Sequence, residues 1–541
     1  MTRLRLILSS LHHHARAHVG TLLGAVVASA VLIGALVVGD SVRYSLREQA
    51  LERLRNIHLA VVQHDRYFRA ALAKDIDLGD GVTVAPMLRL QSSAVAGEGA
   101  DIQRAPNTQL IGVDESFWKI AGIPAPNLKV SDDDEDSNII DVLINQRLAD
   151  RLRISSGDKF TARVAKPSLL PRDVPLAVEG EFDDLVVLLT LRVHAILPAE
   201  HLGNFNLRPD PIAPFNVFLP LQPLQEQAGK QGRRKPSLMA GRANTLIVAT
   251  DQDDHSLLDR ANLELTGHWQ LTDAQLQVQP VEDAAGPPMV ELISDRVFLD
   301  PAVIDAAESV GRIIGTHQTV LGYMVNRIDS VTNGMVVPYS IVASVPPAGS
   351  RMGAPTAAQL RPGEMLINDW MQTNYFGAKV GDSIKLTWFK LGRGREMEEA
   401  SRSFKVVGVV PTGGPGGGRG VMPPFPGVRE LKRMRELDQL GFRPDQALLD
   451  INSADNDDYW DTHQGSPKAF ISAADADAMW SNRYGSATAV RYPGGDGAVE
   501  NIANAFRRTF NPAHTGLAFR DVRRQAVAGD SASDFGGLFI G

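Results

Sequence analysis

Four stretches carry residue types that could do chemistry. His12-His13-His14 offers three imidazoles, Ser131-Asp-Asp-Asp-Glu-Asp136 five carboxylates, Asn452–Asp461 an acidic segment, and Gly413-Gly-Pro-Gly-Gly-Gly-Arg-Gly420 a glycine-rich loop. Each fails a geometric requirement of the chemistry it suggests. Adjacent histidines do not converge on one ion, so the triplet reads as a solvated tail beside lipid headgroups. A contiguous acidic run repels itself and reads as a solvated loop. Asn452–Asp461 lacks the alternating ligands and terminal Glu of a calcium loop. The glycine run lacks the Lys-Ser/Thr of a phosphate loop and reads as mobile. There is no GxSxG elbow and no HExxH helix. Trp118, Trp370, Trp460 and Trp480 read as packing residues rather than a ligand cage. No catalytic, cofactor-binding or metal-ligating residue is assigned, and the expectation is a chain that is not an enzyme.

Composition closes further classes. The chain has 541 residues, 44% of them hydrophobic, with a net charge of −8 and no cysteine. Thiolate catalysis, iron–sulfur clusters and cysteine-bound zinc are excluded. The acidic balance argues against nucleic-acid binding, which needs a basic excess. An extracytoplasmic body would have to be stable without disulfides, as a chain this long can be.

The strongest single element is apolar. From Val19 to Gly39 no residue is charged, and at about 1.5 Å per residue such a run spans roughly 30 Å, a bilayer's hydrocarbon core. Arg3, Arg5 and Arg16 precede it with no acidic residue before Asp40, which favours an N-terminus inside. Val42, Leu46, Ala50, Leu54 and Ile57 then recur at helical spacing, predicting that the membrane helix continues as a stalk. The alternative is a cleaved signal peptide, against which stand the length of the run and the lack of a cleavage site. At the other end, Phe535–Gly541 is wholly apolar but too short to span. It reads either as a hydrophobic terminus or as the first turns of a second membrane helix.

The expected organisation follows: a cytoplasmic tail at 1–18, a transmembrane helix at 19–40, a helical stalk at 41–60, extracytoplasmic α+β subdomains at 61–250 and 251–520, and a helical return to the membrane at 521–541. Asn333-Gly334 predicts a type I′ hairpin turn. Asp300-Pro301 predicts a capped helix start, and Ser472-x-x-Asp475 a capping box opening a helix that closes near Gly485. Val499, Ile502, Phe506 and Phe510 form an apolar helical stripe. Strands are expected at 187–196, 245–249, 384–388 and 404–410. The stretches 166–175, 208–223, 346–355 and 413–426, rich in Pro and Gly, are expected to be exposed loops or joints. Helices and strands are interspersed without regular alternation, so the fold class is α+β.

One pattern occurs twice. Leu143-Ile-Asn145 is followed twelve residues later by Gly157-Asp158, and Leu366-Ile-Asn368 thirteen residues later by Gly381-Asp382. Each copy reads as strand, Asn-capped helix, Gly-Asp turn and strand, predicting two related αβ units.

These features together resemble FtsX-like/MacB-type ABC transporter permeases. The resemblance lies in the basic tail, the apolar run and Gly39–Arg47, and in the Leu-Ile-Asn…Gly-Asp segments of the kind found in the MacB-like periplasmic core domain. Asn216-Val-Phe-Leu-Pro-Leu221, Tyr459-Trp460, Pro467-Lys-Ala-Phe470 and the closing Ser533–Gly541 look like stretches of large bacterial members. The resemblance implies an inner-membrane permease subunit for export or lipoprotein release. It would pair with a separate ABC ATPase, possess no ATPase of its own, and transmit the partner's motion to the extracytoplasmic domain, with a second permease copy as a further partner. Such families have four membrane helices per module, whereas one is evident in this sequence. The other readings are a single-pass anchored binding or scaffold protein and a membrane-tethered hydrolase, which would need a cleft of converging Asp, His or Ser residues that no local motif advertises. The transported substrate is not legible.

Overall fold

An apolar run with no helix breaker forms one continuous helix. The computed structural model describes residues 3–529 apart from 98, 135–136, 170–185, 209, 211, 231–236, 253, 282–286, 345–358, 393–396, 415–417, 419–421, 424–432 and 434–444. Helix α1 spans Arg3–His13 and α2 spans Ala15–Leu54. Helix α2 runs beyond the apolar segment and stops where Arg55 turns to φ 48°. The predicted helical stripe through Ile57 therefore ends at Leu54, and Ile57 opens a strand instead.

The first half of the body comprises β1 (Ile57–Val62), β2 (Phe68–Arg69), α3 (Leu72–Asp75), β3 (Val82–Ala96), β4 (Gln103–Val113), α4 (Glu115–Ala121), β5 (Val130–Asp134), β6 (Ser137–Asn145), α5 (Gln146–Leu152), β7 (Lys159–Ala165), β8 (Val186–Leu197), β9 (Phe215–Pro220), α6 (Leu221–Ala228), β10 (Arg242–Ala243), β11 (Thr245–Thr250) and α7 (Leu257–His268). The second half comprises β12 (Leu276–Pro280), β13 (Met289–Ser294), α8 (Pro301–Ile314), β14 (Gln318–Val320), β15 (Gly322–Ser330), β16 (Val336–Ala343), β17 (Glu364–Asn368), α9 (Asp369–Thr373), β18 (Ser383–Leu391), β19 (Met397–Val410), α10 (Gln446–Leu449), α11 (Ser453–His463), β20 (Ala469–Ile471), α12 (Ala473–Trp480), β21 (Ala489–Pro493), α13 (Asp496–Thr509), β22 (Arg520–Asp521) and α14 (Val522–Gly529). The protein is thus a mixed α/β, largely β-rich body behind one N-terminal apolar helix.

Strand alternation closes each half into a ring. In the first, β3-β4-β9-β6-β8-β7 is closed by the β3–β7 pairing. In the second, β15-β16-β20-β17-β19-β18 is a closed barrel. Strand sense also agrees around both rings. Only β4–β9 and β6–β8 are parallel in the first, and only β16–β20 and β17–β19 in the second. A closed ring leaves no free edge to pair with another chain. Inward-facing Leu88, Ile140, Val142, Phe160 and Val193 fill the first barrel. Val325, Ile341, Ile367, Leu386 and Phe404 fill the second.

A third core draws on both halves of the chain. Leu59, Val248, Leu265 and Trp269 meet Leu292, Val303, Tyr492, Phe506 and Phe510, and the Trp269 and Phe510 ring centroids are 5.8 Å apart. One pairing crosses the halves: β22 comes from the second half yet pairs with β1 of the first.

Several local expectations are corrected. The β15–β16 hairpin exists, but its loop is longer than a two-residue type I′ turn. Gly334 alone adopts positive φ (74°), while Asn333 donates from Nδ2 to the Phe376 carbonyl 2.8 Å away. That tertiary bond takes the side chain a two-residue turn would leave free. Helix α8 starts at Pro301 as predicted, yet the Asp300 carboxylate caps nothing because Arg66 Nη2 holds both its oxygens at 2.7 Å. Ser472 caps α12 through Asp475 N, but Asp475 itself turns to Gly363 N and Arg402. The helix stops at Trp480, and Gly485 closes a short bridge with Asn482 instead. The stretch 208–223 is not merely a joint, since it contains β9, whose residues Asn216–Leu219 are fully buried. Part of the acidic run is strand rather than loop, with Asp132 opposite Asn138 in the β5–β6 pair. The predictions for 346–355 and 535–541, and for most of 166–175 and 413–426, lie outside the described residues.

Candidate functional site

The twice-occurring sequence pattern has matching chemistry at both positions. Asn145 Oδ1 accepts from Leu148 N at 3.2 Å and caps α5, while Asn368 Oδ1 accepts from Met371 N at 3.0 Å and caps α9. The amides also reach outward, Asn145 Nδ2 to the Pro214 carbonyl (2.8 Å) and Asn368 Nδ2 to Tyr459 Oη (2.9 Å). Gly157 and Gly381 adopt φ of 94° and 101°, the left-handed region glycine enters without a Cβ penalty. Gly157 N donates to Val193 O and Val193 N to Asp158 O, just as Gly381 N donates to Val406 O and Val406 N to Asp382 O. These groups position strands and carry no reactive function.

The chemistry suggested by single stretches does not assemble. His12, His13 and His14 are exposed on the N-terminal helices. Asn452–Asp461 lies mostly in α11, where Asn456, Tyr459 and Trp460 turn inward. Trp118, Trp460 and Trp480 are buried in the cores. Among the described residues no three or more His, Asp or Glu side chains are grouped to hold a metal ion.

Two buried polar features escaped sequence reasoning. Lys468 places Nζ 4.3 Å from the Trp370 ring centroid and 4.5 Å from that of Tyr459, and donates to Asn456 Oδ1 at 3.1 Å. Burial lowers its pKa to about 7, because an ammonium loses hydration there. Arg491 Nε meets Glu291 Oε2 at 3.3 Å with both side chains fully buried across β13–β21. Neither has a local signal for burial: Arg491 is placed by strand register, and Lys468 lies just before β20.

The region best suited to function is the base where the chain enters and leaves the body. Leu22, Val31, Ile33 and Val38 on α2 are each about 60% exposed, an apolar surface too large for water. Among the described residues α2 is the one helix long and apolar enough to cross a membrane. Its far end is buried differently. Leu54, partly buried Ala50, and Val522 and Ala526 of α14 join Ile57, Phe117, Trp118 and Phe218 in one cluster beneath the first barrel. Arg55 Nη1 donates to the Ala121 carbonyl at 2.9 Å, and Arg523 Nη1 donates to the carbonyl of Arg55. Arg53 donates to the Asp210 carbonyl, and burial holds its pKa below the usual arginine value. Beside this junction opens a cleft of about 1110 Å³, lined by Glu52, Glu200 and Asp251 as well as Arg53, Arg55 and Arg523. Its mixed charges select no one sign of ligand. The junction packs the end of α2 against both the core and α14.

Residues 19–261 match the family described as the MacB-like periplasmic core domain, a span running from the apolar part of α2 into α7. No curated protein matches the chain. That segment, attached to an apolar N-terminal helix, is similar to the periplasmic core domain of MacB/FtsX-type ABC transporter permeases and supports that family for the chain.

Proposed function

We propose that this chain is a permease subunit of an ABC-type export or lipoprotein-release system, which passes the motion of a separate ATPase to an extracytoplasmic body. The observation that carries the reading is the unbroken helix α2. It leaves the apolar segment at Gly39 and continues for about 22 Å to Leu54, where α14 clasps it. A rigid helix rooted in a core transmits displacement, whereas a flexible linker would absorb it. On this reading residues 1–18 are cytoplasmic, 19–40 span the inner membrane, and the segment after Asp40 is a stalk carrying an extracytoplasmic body. A second permease copy completes the transporter, and the chain performs no catalysis itself.

We also infer that the two barrels are related units. Support comes from their equal strand order and sense, and from the paired Asn caps and Gly-Asp turns.

Ser45→Pro tests the coupling. Ser45 is exposed in the helix beyond the apolar run, and an interior proline costs roughly 3 kcal/mol and kinks the helix. Membrane insertion and the fold of the body should persist. ATP hydrolysis by the cognate ATPase, reconstituted with the permease in nanodiscs, should lose its response to the permease. An unchanged response would overturn the transmission reading and favour a single-pass binding or scaffold protein.

A further inference from the structure

A second, smaller cleft of about 400 Å³ lies on the other side of α14, between the first barrel and the chain segment 516–525. Its charge is one-sided. Arg89 from β3, Arg208 from the loop before β9, Arg520 from β22 and His64 line it, and no carboxylate does. Several arginines elsewhere are neutralised: Arg66 by Asp300, Arg192 by Asp141, Arg296 by Asp65 and Arg491 by Glu291. Arg89, Arg208 and Arg520 have no carboxylate partner among the described residues.

Arg89 is held in place at some cost. Its backbone is fixed on both sides by Asn244, whose Oδ1 accepts from Arg89 N and whose Nδ2 donates to Arg89 O, each at 2.8 Å. The guanidinium lies 5.9 Å from the Phe205 ring centroid and gives one bond, Nη2 to Gln109 Oε1 at 3.1 Å. Its Nε is closed off from solvent and has no hydrogen-bond partner. Burial first, and then the charge of Arg208, lower its pKa to about 10. A buried charge without counter-charge, facing a like charge, is destabilising unless an anion joins it.

We propose that this cleft is an anion site for a phosphate group. Guanidinium groups present paired N–H donors that match phosphate oxygens. The three arginines come from separate elements, so a bound phosphate would tie β22 and α14 to the first barrel. Two sources share this chemistry: a phospholipid headgroup lifted toward the body, or a soluble phosphate compound. The site does not depend on the transport reading.

The test uses the full chain in uncharged detergent and in nanodiscs. Inorganic phosphate should raise the thermal midpoint more than sodium chloride of equal ionic strength, since a ligand bound only to the folded state stabilises it. The double variant Arg208→Gln/Arg520→Gln removes two exposed side chains and should fold. It should weaken the apparent phosphate affinity at least tenfold, and a phosphate response lost in this way supports a soluble source. A gain in phosphatidylglycerol over phosphatidylcholine nanodiscs, abolished in the double variant, supports the lipid source. If phosphate and chloride act alike and the two lipids act alike, the site is refuted. A double variant that responds like the parent would refute it too, by placing the anions elsewhere.

Discussion

Replacing Asn145 or Asn368 by alanine should cost far more than an ordinary helix cap. Asn145 is 1% exposed and uses its whole amide. Its Oδ1 accepts from Leu148 N and Asn216 N, both at 3.2 Å, and its Nδ2 donates to Pro214 O at 2.8 Å and Asn204 Oδ1 at 3.1 Å. Losing a cap costs about 1 kcal/mol, and each buried group left unpaired adds about 1–3 kcal/mol. Partial relaxation brings the expected loss for Asn145→Ala to roughly 3–5 kcal/mol. Asn368 makes fewer bonds, to Met371 N, Tyr459 Oη and Pro467 O, giving roughly 2–4 kcal/mol. Asp114→Ala is the control: it removes a partly exposed cap on Ser116 N and should cost only about 1 kcal/mol. Urea unfolding of the full chain in detergent, followed by tryptophan fluorescence, reads all three. Asparagine variants no worse than the control would refute the claim that these amides join helix, strand and neighbouring loop.

Lys468→Met should flatten the pH dependence of stability. The folded pKa near 7 lies below the unfolded value of 10.5, so the folded state binds fewer protons between those values and stability rises with pH across that window, by up to about 1.4 kcal/mol per unit. Below pH 7 both states are protonated and the cost is constant; unfolding midpoints at pH 7 and 9.5 should differ in the parent and converge in the variant. Gly485→Ala should destabilise by at least about 2 kcal/mol, since its φ is 148° and a Cβ would stand 1.8 Å from the Leu299 carbonyl oxygen. Gly497→Ala meets nothing within 4 Å and should be neutral or stabilising by up to about 1 kcal/mol; thermal midpoints separate the two.

What the sequence disclosed was what local chemistry dictates. The apolar run, the Asn caps, the Gly-Asp turns and the stripe on α13 depend on residues within a few positions of one another, and their spacing made them legible. The strands at 187–196, 245–249 and 384–388 were legible for the same reason and lie within β8, β11 and β18. Long-range pairing had no such signature. Nothing near Arg520 says that β22 returns to β1. The stretch 208–223 looked like a joint because Pro211, Pro214, Pro220 and Pro223 punctuate it, yet Asn216–Leu219 between them pair in β9 with strands on both sides. Asp300 looked like a cap because only its neighbours were visible, whereas Arg66, its partner, lies 234 residues away. The arginine cleft was hidden for the same reason, because Arg89, Arg208 and Arg520 meet only through the fold.

Transmission of motion to the body requires α2 to cross a membrane with the body outside the cytoplasm. Because the chain has no cysteine, single introduced cysteines report on a clean background. Ser10→Cys lies before the apolar run, and Thr266→Cys is exposed on α7. In intact spheroplasts a membrane-impermeant maleimide should label Thr266→Cys at once, and Ser10→Cys only after permeabilisation. Labelling in the opposite order, or a protein that leaves the membrane fraction altogether, would contradict it.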